Sequence, residues 1–255
     1  MIDLKTRLKE VAPFYNLYLF FFNKKVYLRR KKEMRFLKTL GYFKLVFDIG
    51  ANEGNKTSFF RTLGSNVIAV EPDNYNYQFL VNRFHTSSKV KILHSAVSDT
   101  IGTADFFQNE PGSAFNTLSK KWKDSLEDQT INRWHTATMF NDIIEVQTIT
   151  LDYLIDKYGK PDYIKIDVEG HELACIKGLT KMIPVISFEA NLPEFKNETL
   201  QIIEHLKNID KKVRFNYIVN EENFEYKAHV SSDEFYDFIR NTNLKFMDVF
   251  SFMDN

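Results

Sequence analysis

The stretch LVFDIGANEGNKTSFF, residues 45–60, decides the fold. An apolar run passes through Asp48 into a turn punctuated by Gly50 and Gly54, and a helix-like pattern follows. A strand that ends this way leaves backbone N–H groups and the positive end of a helix dipole beside whatever binds there, while the glycines let a ligand approach the main chain. Several nucleotides fit such a turn. A dinucleotide fingerprint spaces its glycines G-x-G-x-x-G and keeps the strand end neutral, because pyrophosphate is anionic. Here the spacing is Gly50-x-x-x-Gly54 with Asn52 between, and Asp48 stands two residues before the first glycine. That carboxylate repels a pyrophosphate and attracts a cation. S-adenosylmethionine carries an ammonium and a sulfonium and no phosphate, so the charge pattern favours it over NAD.

Working outward, VIAVEP places Glu71 at the end of the next strand, 21 residues after Gly50. An acid there can accept both hydroxyls of a ribose. Residues 45–101 alternate short β-branched or apolar runs (KLVFDIG, NVIAVEP, VKILHSAV) with helix-length segments, which predicts βαβ units and a doubly wound α/β fold. The rhythm breaks over 102–150, where GTADFF and IEVQTITL read as an inserted antiparallel strand pair around a long polar connection holding Trp122, Trp134 and His135. From 151 the alternation resumes with DYIKIDVEG, ELACIKGL, VISFEA, NETLQIIEHLKNI, RFNYIV and FMDVFSF. No phosphate-binding G-x-x-x-x-G-K-[ST] occurs.

The bulk numbers fit one domain with extensions. The chain has 255 residues, and its 34 basic and 34 acidic side chains leave no global field to attract nucleic acid. The lone Cys175 excludes an internal disulfide, suits a reducing, cytoplasmic compartment and reads as packing. The run FYNLYLFFF, residues 14–22, is too short to span a bilayer and leads into lysines rather than a cleavage site. Residues 1–44 form a predicted helical extension before a catalytic domain over 45–255. Eight Lys or Arg lie between Lys24 and Lys38 with Glu33 alone opposing them. That patch is solvated cover for the domain, a contact with a polyanionic substrate or with anionic lipid at the inner face of the membrane, or a contact with RNA.

The blocks VFDIGANEGNKT, VIAVEPDNYN, HSAVSDTIGTADFF, EVQTITLDYLI, DYIKIDVEGHELACIKGL and VISFEA, taken in order, resemble the FkbM family of S-adenosylmethionine-dependent methyltransferases over roughly residues 44–192. The resemblance implies a Rossmann-like class I methyltransferase fold with a seven-stranded sheet, and methyl transfer to a hydroxyl, often on a sugar or natural-product scaffold. It also implies that Asp48, Gly50, Asn52 and Gly54 meet the methionine end of the donor, Glu71 the ribose, and Ser95 and Ala96 the adenine.

Chemistry is expected from the later blocks. In YIKIDVEG, Lys165, Asp167 and Glu169 alternate with apolar residues, so on a strand they share one face. Glu189, ending VISFEA, closes the neighbouring strand. An acceptor hydroxyl does not ionise at neutral pH, so transfer needs a base or an acidifying metal. Asp167 is the expected base, Glu189 and Lys165 shape its field, and His171 is the alternative; no metal is assigned, although Asp167, Glu169, His171 and Glu189 offer ligand atoms. The same charges could be a structural ion-pair network. The 102–150 insertion is the expected acceptor lid, with a carbohydrate or glycoconjugate packed on its tryptophans, unless these merely anchor a loop. Two rival readings are an NAD-type oxidoreductase and a catalytically silent cofactor-binding scaffold in a glycan-assembly complex.

Overall fold

A computed structural model describes residues 20–128, 132, 138–220 and 222–254. Strand β1 (Leu45–Ile49) pairs in parallel with β2 (Asn66–Val70) on one side and β7 (Tyr163–Ile166) on the other. A strand covered on both faces must be apolar on both, and Val46, Phe47 and Ile49 are all buried. β3 (Val90–Leu93) continues the sheet beyond β2. On the other side follow β8 (Val185–Asn191), β11 (Phe246–Phe252), β9 (Arg214–Ile218) and the two-residue β10 (Val230–Ser231). The order is β10-β9-β11-β8-β7-β1-β2-β3, and β11 runs antiparallel to both its neighbours. The sheet thus has one strand more than the resemblance implies, the extra one being short β10 on the edge.

The helices are α1 (Lys24–Thr39), α2 (Asn55–Thr62), α3 (Asn74–Phe84), α4 (Lys120–Glu127), α5 (Leu151–Tyr158), α6 (Glu172–Lys177), α7 (Lys196–Ile209) and α8 (Ser232–Asn241). Strand alternation divides the core between two layers of them. Phe47, Ile49, Ile164, Ile166, Ile186 and Phe188 pack with residues of α5 to α8, among them Leu154, Cys175, Leu206 and Phe235. Val46, Val67, Tyr163 and Phe250 pack with Phe36 and Leu37 of α1 and Phe59 and Phe60 of α2. Helix α3 closes the same side, with Leu80 and Phe84 against Ala69. The architecture is doubly wound, as the alternation predicts.

The insertion forms a separate small sheet. β5 (Gly102–Gln108) pairs antiparallel with β6 (Asp142–Ile149), and β4 (Ala96–Val97) joins β6 in parallel. Between them α4 buries Trp122 and Leu126 against Phe140 and Phe195. Trp134 and His135 lie outside the described residues. Among the described residues, no helix is long and apolar enough to cross a membrane.

Candidate active site

Two turns, at the carboxyl ends of β1 and β7, build the site. They touch at Gly50. Its φ is +74°, and a Cβ there would lie 1.8 Å from the carbonyl oxygen of Asp167, so the chain ends can abut only if residue 50 is glycine. Asp167 in turn donates its N–H to the Ile49 carbonyl at 3.1 Å. Gly54, also at φ +74°, precedes α2 and faces Leu80 and Phe84 of α3 rather than open space. Asp48 is wholly buried beneath the turn: Oδ2 accepts from the Thr57 hydroxyl at 2.5 Å, and Oδ1 lies 3.8 Å from Lys165 Nζ. Burial pushes its carboxyl up, and Lys165 opposes that.

A buried carboxylate holds each turn. Glu71 Oε2 accepts from the N–H of Asn52, which has φ 49°, at 2.7 Å, and Oε1 accepts from Asp73 N at 2.9 Å. Glu172 Oε1 accepts from Val168 N and Gly170 N at 3.3 and 3.2 Å, beneath a turn in which Glu169 has φ 53°. Burial pushes both acids up to about 7 against the pull of these hydrogen bonds. Asp73, which sequence reasoning missed, ties the insertion down. Its Oδ1 caps α3 through Tyr75 N and Asn76 N, while Oδ2 accepts from Gln108, Gly112 and Asn116 at 2.9 to 3.1 Å. The Thr117 hydroxyl donates to the Glu169 carbonyl at 2.7 Å, so the insertion bridges both turns.

Between the turns lies a cavity of about 430 Å³. Gly50, Asn52, Glu71, Ser95 and Ala96 border one side of it, Lys165, Asp167, Glu169 and His171 the other, and Ser113, Ala114 and Asn116 to Leu118 roof it. Asp48 and Gly54 are not on its surface. Asn76, on its wall, is buried, and its Oδ1 accepts no hydrogen bond among the described residues.

The catalytic candidates converge. Asp167, Glu169 and Glu189 present carboxylate oxygens within 4.8 Å of one another, a spacing that could also hold a metal ion. The strand geometry differs from the sequence expectation: β7 stops at Ile166, so the turn, and not strand alternation, brings Asp167 and Glu169 together. Glu189 does not end its strand either, since β8 runs on to Asn191; it sits one residue past Phe188, the partner of Ile166. Lys165 Nζ bonds Asp167 at 2.7 Å. Burial pulls Lys165 down, but Asp167 and Asp48 outweigh it and raise it. Burial, then the Asp167 charge, pushes Glu169 and Glu189 well above the usual carboxylate range. His171 shares a hydrogen bond with the Ser98 hydroxyl at 3.1 Å, and burial pushes it down to about 4.

A second cavity of about 130 Å³ adjoins the first, and both are bordered by Arg29, Lys56, Lys165 and Asp167. Lys56 forms an ion pair with Glu33 of α1, and burial pulls its ammonium down to about 8. Lys56 and Arg29 escaped the sequence reading. A lysine on the second position of the helix after the glycine turn was a usable signal; Arg29 was hidden in a basic run.

Comparison with known proteins identifies relatives of this chain. The hexuronic acid methyltransferase AglP of Haloferax volcanii is 26% identical over 147 residues, 56% of this chain and 53% of that protein, so the match spans about half the relative's length. Precorrin-6y C5,15-methyltransferase of Geobacter metallireducens aligns over 89% of this chain and 86% of its own at 12% identity and TM-score 0.44. Ribosomal protein L11 methylase of Lactobacillus delbrueckii subsp. bulgaricus aligns over 90% and 80% at 10% identity and TM-score 0.42. The Methyltransferase FkbM domain matches residues 48–241, which take in both turns, the insertion and the carboxylates, and the chain therefore belongs to the FkbM methyltransferase family.

Proposed function

We propose that the protein is an S-adenosylmethionine-dependent O-methyltransferase acting on a hydroxyl of a carbohydrate or glycoconjugate. The observation that carries the reading is the position of Asp167, which borders both cavities beside the Lys165 ammonium. The relative's hexuronic acid substrate supports a sugar acceptor.

The larger cavity suits the donor. Glu71 still has lone pairs for ribose hydroxyls, since each oxygen accepts one backbone N–H. Asn76 Oδ1, a buried acceptor with no donor among the described residues, is of the kind an adenine amino group satisfies and lines the same cavity as Ser95 and Ala96. The backbone of Gly50 to Asn52 faces the methionine end, with the Asp48 carboxyl buried beneath it. When bound, the donor supplies a methyl group activated by a sulfonium. Asp167 takes the acceptor's proton, and Lys165 holds that carboxylate in one orientation at 2.7 Å. Glu169 and Glu189 stand beside it, and burial with the Asp167 charge pushes both well above the usual carboxylate range. His171, neutral at pH 7 and engaged with Ser98, is a weaker base than its position suggests.

Transfer from labelled donor to a panel of sugars, glycolipids and cell extract, with identification of the product, tests the reading. General-base contributions are typically 10² to 10⁴-fold, so Asp167→Asn should lower turnover by about that factor and leave donor affinity within a few-fold, while His171→Ala costs far less. Near-normal turnover in Asp167→Asn refutes the base assignment. Donor binding without transfer to any acceptor favours the silent scaffold.

We also infer that α1 rests on an anionic membrane surface. Lys24, Leu28, Lys31, Arg35 and Lys38 recur every three or four residues along it and all are exposed, and Phe21 and Phe22, 68% and 76% exposed, precede it.

A further inference from the structure

Resting on the reading of the chain as a carbohydrate methyltransferase, we propose that the smaller cavity is its acceptor subsite. A sugar ring enters between α1 and the paired strands β8 and β11, stacks on Phe246, and gives hydroxyl hydrogen bonds to Glu189 and Asp248.

Continuity is the first argument. The smaller cavity meets the donor cavity at Arg29, Lys56, Lys165 and Asp167, so a group held in it reaches Asp167 from the side opposite the donor. The second argument is register. Asp248 on β11 stands directly opposite Glu189 on β8, and both line this cavity. Two acids facing each other across an antiparallel pair are destabilising, and burial with neighbouring acids, Asp248 among them, pushes Glu189 well up. Lys56 faces Asp248, Asp167 and Glu189 together, so the acids gather around one ammonium on the wall of the same cavity. Adjacent carboxyl groups do match a run of ring hydroxyls, each of which needs an acceptor.

Phe246 completes the chemistry. It lies two residues before Asp248, on the same face, and is 38% exposed at the cavity's edge. A sugar presents C–H faces as well as hydroxyls, and an exposed ring beside two acids meets both. The insertion offers no such surface among the described residues. Trp122 is 2% exposed, packs on Phe195 with ring centroids 5.9 Å apart and borders neither cavity; Ser113, Ala114 and Asn116 to Leu118 border the donor cavity alone. Helix α1 is then a wall of the subsite, with Arg29 at its junction with the donor cavity.

Steady-state transfer from labelled S-adenosylmethionine to a soluble saccharide extract, with the extract concentration varied, tests this on the full chain. Phe246→Ala and Asp248→Asn should each raise the half-saturating extract concentration about tenfold, the effect of losing one stacking face or one charge-assisted hydrogen bond. The dissociation constant of the demethylated donor product should stay within about twofold in both, and Lys160→Gln, exposed ahead of the amino end of β7 and on neither cavity, should change neither quantity. Should Phe246→Ala fail to fold, Phe246→Leu keeps the apolar bulk without the flat ring. An unchanged acceptor dependence in the Phe246 and Asp248 variants overturns the subsite while continued transfer leaves the carbohydrate reading standing. No transfer to any saccharide by the wild-type chain overturns the reading, and the subsite with it.

Discussion

Gly50 shows how a single residue can serve two motifs distant in sequence. Its missing side chain lets the ends of β1 and β7 meet, which sets Asp167 beside the glycine turn, and any larger residue would have to displace the Asp167 carbonyl. The carboxylates beneath the turns do comparable work and leave a measurable trace. Glu71 and Glu172 sit at about 7 in the fold, against the ordinary 4.5 of the unfolded chain. Between those values the folded state holds protons that the unfolded state has released. The stability they contribute is therefore complete below about 4.5 and is lost as pH rises through about 7. Each such proton gives a slope of up to ~1.4 kcal/mol per pH unit. Urea unfolding of the ligand-free protein between pH 5.5 and 8 should accordingly show a shallower loss of stability in Glu71→Gln than in the wild type, whatever the offset from its lost acceptor. Parallel pH profiles for the two proteins would contradict the assignment.

Helix α1 illustrates what an element can and cannot disclose in advance. Its basic outer face was legible because Lys24, Lys31, Arg35 and Lys38 keep helical spacing, but the inward arc that carries Arg29, Glu33 and Phe36 was not. Those residues gain meaning only once the sheet order sets β8 and β11 under the helix, and periodicity carries no information about which strands become neighbours. The same limit hid Asp248. Short helices were missed for a different reason. In α5 the run LDYLIDKY follows β6 after one residue, Thr150, which caps the helix through Tyr153 N at 3.1 Å, so strand and helix read as one apolar stretch. In α8 the signals were present and unread: Ser231 caps it, Asp233 and Glu234 occupy its first turn, and Phe235 and Ile239 are buried one turn apart. The two turns were the most legible part, because each joins a buried apolar strand to glycine and acid at fixed spacing. For the outer face of α1, each Lys or Arg near an anionic bilayer contributes about 1 kcal/mol, and Phe21 and Phe22 add apolar anchors. Co-sedimentation with phosphatidylserine-containing vesicles should be strong at low salt and fall as salt is raised, and Lys31→Glu with Arg35→Glu should remove most of it. Equal partitioning onto neutral vesicles, or a preference for RNA over vesicles in competition, counts against a lipid surface.

At the scale of the whole molecule, the site lies where the sheet changes direction. From β1 the chain builds outward through β2 and β3, then returns to the other side of β1 as β7 and β8, so the carboxyl ends of β1 and its two neighbours open into one crevice. Glu71 belongs to one side of that crevice and Asp167, Glu169 and Glu189 to the other, while the insertion, tied at Asp73 and Glu169, spans the two. A ligand lodged there touches both sides of the sheet, so its binding energy is felt by the fold as a unit. The donor or its demethylated product at ~100 times its dissociation constant should stabilise the protein by ~2.7 kcal/mol, which for a domain of this size raises the melting temperature by roughly 5 to 10 °C. Glu71→Ala should shrink that shift by weakening the ribose end, and Asp48→Ala by removing the buried carboxyl beneath the methionine end. Both variants should still melt cooperatively without ligand, since neither residue belongs to the apolar core. NAD is the informative comparison: its pyrophosphate would have to sit on the turn that covers the buried Asp48, and no fingerprint glycine spacing receives it. A shift with the methyl donor and none with NAD is the expected outcome of scanning calorimetry, and the reverse pattern would sink the methyltransferase assignment of the cavity.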